Sequence, residues 1–226
     1  MGWGGFPKNS EPKQVSFAFN GKEWTDAKGT GDKTALAKIH GLQGPIDDAF
    51  MDSFVFYKPS KAPMNETTGK WVDSELNHAV KEWRKQFRGD ITPHSSSEFV
   101  WEDVEHNHMV LWGDPQSNPI IGKLLKDLPI KWTSETIEFN GTTYDAKSHV
   151  PVMVFPNPLN PKKYVVLNSG FTFREYDYLN NARQVSKLPD YAIIDVNTPA
   201  NSRYPGKVVR AGFFDERWKL QPNDGK

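Results

Sequence analysis

The sequence predicts an α/β protein: a three-layer sandwich with a mixed, mostly parallel sheet and β-hairpins at its periphery. Three observations predict it. Short continuous apolar runs, such as Phe54-Val55-Phe56-Tyr57 and Met109-Val110-Leu111-Trp112, read as strands buried on both faces. Segments between them carry apolar residues at helical spacing. Two Asn-Gly pairs, at Asn20-Gly21 and Asn140-Gly141, sit between strand-like segments and signal tight hairpins.

The elements follow in order. Residues 1–40 read as an irregular lead-in carrying one hairpin at 14–25, where Val15–Phe19 and Lys22–Trp24 flank Asn20-Gly21. Residues 41–218 form the α/β domain, and 219–226 are a polar tail. Phe54–Tyr57 is the first buried strand. A helix over 72–87 places Leu76, Val80, Trp83 and Phe87 on one stripe, with His78 and Lys81 on its polar flank and Gly89 as a stop signal. Met109–Trp112 is the next buried strand. Ser117 caps a helix over 118–128 that carries Ile120, Ile121, Leu124, Leu125 and Leu128 and stops at Pro129. Ile130–Trp132 opens a strand, and Ile137–Phe139 with Thr142–Tyr144 makes the second hairpin. Val152–Phe155 and Tyr164–Leu167 are strands. Thr172-Phe173-Arg174-Glu175 fits a capping box, so a helix is expected over 173–184. Ala192–Val196 and Val208–Phe214 complete the set.

Composition narrows the function. The chain of 226 residues carries 28 Lys plus Arg against 28 Asp plus Glu. Zero formal charge argues against nucleic-acid binding through bulk charge and against a polybasic membrane-surface protein. Aromatics at 13% supply core anchors and argue for a folded domain. With no cysteine, thiol catalysis, disulfides and thiolate metal sites are excluded. No run of 18 apolar residues exists, so no helical span is expected. The opening Met1–Pro7 lacks the basic region and apolar run of a signal peptide, so the chain is expected to begin within something larger.

In an α/β sheet, ligands bind outside the carboxyl ends of the parallel strands. Candidate ligand-binding residues are therefore Ser60 after the first strand; Asp114, Ser117 and Asn118 after the second; and Asn168, Ser169 and Thr172 after Leu167. Ser117 and Thr172 read equally well as helix caps. No P-loop or dinucleotide glycine pattern is present. Ser169 follows a strand and precedes a predicted helix, as a hydrolase nucleophile would, but its G-x-S-x-G elbow is absent. His106 and His108, with Glu102, Asp103 and Glu105 beside them, are candidate metal ligands: on a strand they would share one side. The plain alternative is a solvated approach to the next strand. Asp47 and Asp48 form a second acidic group without EF-hand spacing. Asp47 reads more simply as the cap of a short helical turn. No cofactor motif is present; calcium or another divalent ion is compatible with these residues but has no motif behind it. Trp3, Trp24 and Trp218, if exposed, would line an apolar acyl pocket.

Three stretches, Gly44–Phe54, Met109–Asn118 and Tyr164–Glu175, resemble in order and spacing the C-terminal region of large secreted bacterial hydrolases, which carry a prolyl-oligopeptidase-like or esterase-like α/β-hydrolase domain ahead of it. The resemblance covers about residues 40–218 and lacks the catalytic domain with its serine elbow. It implies an accessory, non-catalytic module with a hydrolase catalytic domain as its partner, in a secreted or periplasmic setting. The alternative is an autonomous hydrolase of small esters or lactones, metal-assisted or not, with its site at the strand ends.

Overall fold

The computed structural model describes residues 17–26 and 36–221. The chain divides into two compact units, residues 1–35 and 36–226. In the first, β1 (Phe17–Phe19) pairs antiparallel with β2 (Trp24–Asp26). Asn20 Oδ1 accepts from the Lys22 and Glu23 amides and closes the turn. The Asn-Gly signal therefore marks a hairpin, as read; its expected start at 14–16 lies outside the described residues.

The second unit is built on a mixed seven-stranded sheet. Its strands are β3 (Phe54–Lys58), β4 (His94–Ser95), β5 (His108–Leu111), β9 (His149–Asn157), β10 (Asn160–Leu167), β11 (Tyr191–Asp195) and β12 (Lys207–Gly212). The spatial order is β12-β11-β9-β10-β5-β3-β4. β4, β3, β5 and β10 are parallel neighbours, while β9, β11 and β12 join by antiparallel pairing. All four runs expected at 54–57, 109–112, 164–167 and 192–196 fall in this sheet. They read as continuous apolar stretches because both faces are covered: Met109–Leu111 and Tyr164–Leu167 are fully buried. A separate antiparallel sheet holds β6 (Lys131–Trp132), β7 (Thr136–Phe139) and β8 (Thr142–Asp145). Its hairpin turns at Asn140 (φ 45°) and Gly141 (φ 74°), two left-handed residues that match the twist of the strands.

Among the described residues, three α-helices accompany the sheet: α1 (Glu66–Phe87), α2 (Trp101–His106) and α3 (Pro119–Leu124). Trp83 of α1 stacks edge-on against Phe54 of β3 at 4.7 Å between ring centres. Three positions on, and so toward the other face, Tyr57 Oη donates to Asp103 of α2 at 2.5 Å. Alternation along β3 thus serves two helices at once.

Four local expectations are corrected. First, no α-helix spans 173–184: the segment makes short 3-10 turns at Glu175–Leu179 and Asn181–Arg183. Second, Thr172 does not cap it. Its amide and hydroxyl both donate to Asp47, which in turn is no helix cap, and the Lys187 amide donates to the Thr172 hydroxyl at 2.7 Å. Third, Asn118, not Ser117, caps α3, accepting from the Ile120 amide. The helix ends at Leu124 and finishes as a 3-10 turn to Asp127. Fourth, the α1 stripe is rotated. Trp71, Val72, Leu76 and Ala79 are buried, together with Glu75 and Glu82, while Val80 and Trp83 are half-buried and Phe87 is 48% exposed. Two buried glutamates were invisible to an apolar pattern; Glu75 meets Arg174 from outside the helix. Arg88, with φ 64°, takes the left-handed position expected near Gly89.

Candidate functional site: the carboxyl ends of β3, β5 and β10

The loops after β3, β5 and β10 meet at one edge of the sheet, as the strand directions require. Each is fixed by side chains whose hydrogen bonds are directed inward. Asn168 sits at φ 50°, a left-handed conformation Asn tolerates. Its Oδ1 accepts from the Gly113 amide at 2.8 Å, and its Nδ2 donates to the Gly113 and Pro151 carbonyls. One side chain thus ties β10 to the ends of β5 and β9. Asn118 does the same for β3 and β5, donating to the Tyr57 and Trp112 carbonyls at 3.2 and 2.9 Å.

Asp114 organises the loop after β5. Its Oδ1 accepts from the Gln116 and Ser117 amides, and its Oδ2 accepts from the Met64 amide at the approach to α1. Ser117 Oγ accepts from the Asp114 amide, and the Ser117 carbonyl accepts from the Ser60 and Lys61 amides, joining this loop to the one after β3. The Ser60 hydroxyl accepts from Ser96 at 2.9 Å. Gly113 is required here: at φ 115°, a Cβ would lie 2.6 Å from Ser117 Oγ. All seven candidate residues therefore lie on this edge or just behind it, and Asp114, Ser117, Asn118, Asn168 and Thr172 are buried with their polar atoms engaged.

Ser169 is buried, and its hydroxyl donates to the Gly170 carbonyl at 2.8 Å. Among the described residues no histidine bonds it. Gly170 lets the loop press on α1, where an added Cβ would stand 2.7 Å from that of Ala79. Two cavities open at the edge. One of about 30 Å3 is lined by Ser169, His78, Glu75, Thr172 and Arg174. The other, about 210 Å3, lies between Pro59, Lys61, Gly113, Asp114 and the first turns of α1. A wider concavity, about 950 Å3, lies elsewhere, between the end of α3 and β6–β8. It is lined by groups such as Leu125, Leu128, Ile130 and Phe139, and its Lys131 and Glu138 pair with each other.

The metal candidates do not converge. His106 ends α2 with its side chain 67% exposed, whereas His108 opens β5 buried, its Nδ1 accepting from the Tyr164 amide at 2.8 Å. A helix end between them breaks the shared strand face that the sequence pattern assumed. Burial first, and the Lys163 charge second, push His108 down to about 4, against the pull of Asp52 and Asp48. Asp48 accepts from the Tyr164 hydroxyl at 2.7 Å while Asp47 serves Thr172; burial outweighs those hydrogen bonds and raises Asp47. Of the three tryptophans, Trp24 is exposed, Trp218 is buried in the core and Trp3 lies outside the described residues.

Sequence reasoning missed a polar cluster on the inner face of α1. Glu75 receives a two-pronged ion pair from Arg174, with nitrogen–oxygen distances of 2.7 and 3.2 Å. One turn further, His78 Nε2 lies 3.0 Å from Glu175 Oε1. Glu82, a turn beyond His78, is 2% exposed, and its Oε2 has no hydrogen-bond partner; Lys85 Nζ stands 3.5 Å away. Among the described residues, Glu175 Oε2 is also buried without one. Burial first, and a hydrogen bond to the Glu82 side chain second, raise the Tyr178 phenol. Burial works to raise the Glu175 carboxyl as well, but the hydrogen bonds it accepts and the His78 and Arg174 charges together hold it below the usual range. The His-x-x-x-Glu spacing of 78 and 82 was a readable signal; Glu175, nearly a hundred positions away, was not. In comparisons with known proteins, no family model, no curated protein and no solved structure matches this chain.

Proposed function

We propose that this chain is a non-catalytic α/β module of a hydrolase of the secreted esterase or peptidase type, its helices covering both faces of the sheet in three layers. The observation that carries the reading is the hydrogen bonding of the strand-end edge. Asn118, Asn168, Asp114 and Ser117 hold loops together, and Ser169 donates to a neighbouring carbonyl instead of meeting a base. A catalytic serine needs a general base within hydrogen-bond reach, a histidine in the Ser-His-Asp arrangement of these hydrolases. The likeness of three stretches to the region that follows secreted hydrolase domains supplies the partner: an α/β-hydrolase catalytic domain outside the cytoplasm.

The second reading, an autonomous hydrolase of small esters or lactones, draws on the small cavity that brings Ser169 and His78 onto one surface. The purified chain, assayed on p-nitrophenyl esters and acyl lactones with and without calcium and a chelator, separates the two. The module reading expects hydrolysis at the buffer rate for both the wild type and Ser169→Ala. Turnover above buffer that Ser169→Ala abolishes would sink it.

A further inference from the structure

We infer that His78, Glu82 and Glu175 form a binding site for one divalent transition-metal ion, with zinc the best match. The three donor atoms lie within 4.8 Å of one another, close enough to surround a single ion. Their supports differ. His78 and Glu82 stand one turn apart on α1, which places both side chains on the same face. Glu175 is delivered by the 3-10 turn after β10, and that turn is anchored through Arg174 to Glu75 on the same helix. The Glu75–Arg174 pair neutralises itself and fixes the approach of the third ligand.

An acidic cluster alone would not make a site. The independent observation is the state of the oxygens inside it. Glu82 is buried, and among the described residues its Oε2 has no hydrogen-bond partner in good geometry; Glu175 Oε2 shares that condition. A buried carboxylate oxygen without a partner is destabilising unless a charge compensates it. Among the described residues, the cation paired with Glu82 is Lys85, at 3.5 Å, outside good hydrogen-bond range. Its side chain is 54% exposed and lies over the Tyr178 ring, so it can swing into solvent when an ion enters. A divalent ion between His78 Nε2, Glu82 and Glu175 would satisfy both carboxylates and leave one position for water or the Tyr178 oxygen.

The donor set selects the ion. One imidazole with two carboxylates suits zinc and its first-row neighbours, whereas calcium asks for six or more oxygens and no nitrogen. His78 also lines the cavity beside Ser169, so the ion would lie at the strand-end edge. The inference stands apart from the module reading, because ion binding is read without any substrate.

The test uses the intact chain stripped with chelator and titrated with zinc chloride by calorimetry, then with cobalt to read its visible spectrum. One equivalent should bind, and zinc should raise the melting temperature. Glu82→Gln and Glu175→Gln should each weaken binding at least about tenfold. Glu175 is half-exposed, so its variant keeps the fold even if Glu82→Gln does not. His106→Ala, at an exposed histidine, should bind as the wild type does. Failure of the wild type to bind zinc or cobalt overturns the inference. So does unchanged binding in Glu175→Gln, or calcium binding as tightly as zinc.

Discussion

At the scale of single residues, burial decides chemistry more than residue type does. His108 looks like a ligand in sequence, yet its Nδ1 accepts a main-chain amide and its ring packs on Tyr164 at 5.0 Å. Its pKa falls from 6.5 to about 4. The unfolded chain therefore takes up a proton at a pH where the folded chain does not. Stability from this group is complete above 6.5 and is lost as pH falls from 6.5 toward 4, by up to about 3 kcal/mol. Asp47 and Asp190, raised by burial, act in the opposite sense, so the signal is read by difference. Urea unfolding of His108→Asn and the wild type at several pH values should show a flatter curve for the variant. Parallel curves would mean that His108 protonates freely in the fold. No sequence pattern distinguished His108 from His106; one strand start and one helix end, two positions apart, did.

Among the elements, strands were the most legible and short polar turns the least. A run such as Met109–Leu111 announces its burial because both faces are covered, and no partner need be known. The 173–184 segment misled because its polar residues bond far away: Thr172 to Asp47, 125 positions distant, and Arg174 to Glu75, 99 distant. Local capping rules assume that a threonine has nothing better to do. The same long-range pairs explain the rotated stripe of α1. Arg174→Met should destabilise by about 3–5 kcal/mol because it strands Glu75 in the interior, and Glu75→Met added to it should recover most of the loss. A double variant no more stable than the single would disprove the pairing. Trp83 lies between Phe50, Phe54, Phe87 and Phe171. It is half-buried, so Trp83→Ala should cost about 2–4 kcal/mol in thermal or urea melts. No loss would place the stripe elsewhere.

For the whole molecule, strand direction brought the three candidate loops to one edge, and that much followed from the alternation of apolar runs with helical segments. What those loops do there depends on where each polar atom points, which only three-dimensional packing sets. Asn118 and Asn168 clamp the strand ends together. Each side chain serves at least three main-chain groups on other segments or at the start of α3. Removing one strands those amides and carbonyls in the interior. The most direct measurement is the urea unfolding free energy of Asn118→Ala and Asn168→Ala against the wild type. Each should lose about 2–4 kcal/mol, with an unchanged slope against urea. Variants that unfold within about 0.5 kcal/mol of the wild type would contradict the clamp role, because surface positions free of structural duty behave that way.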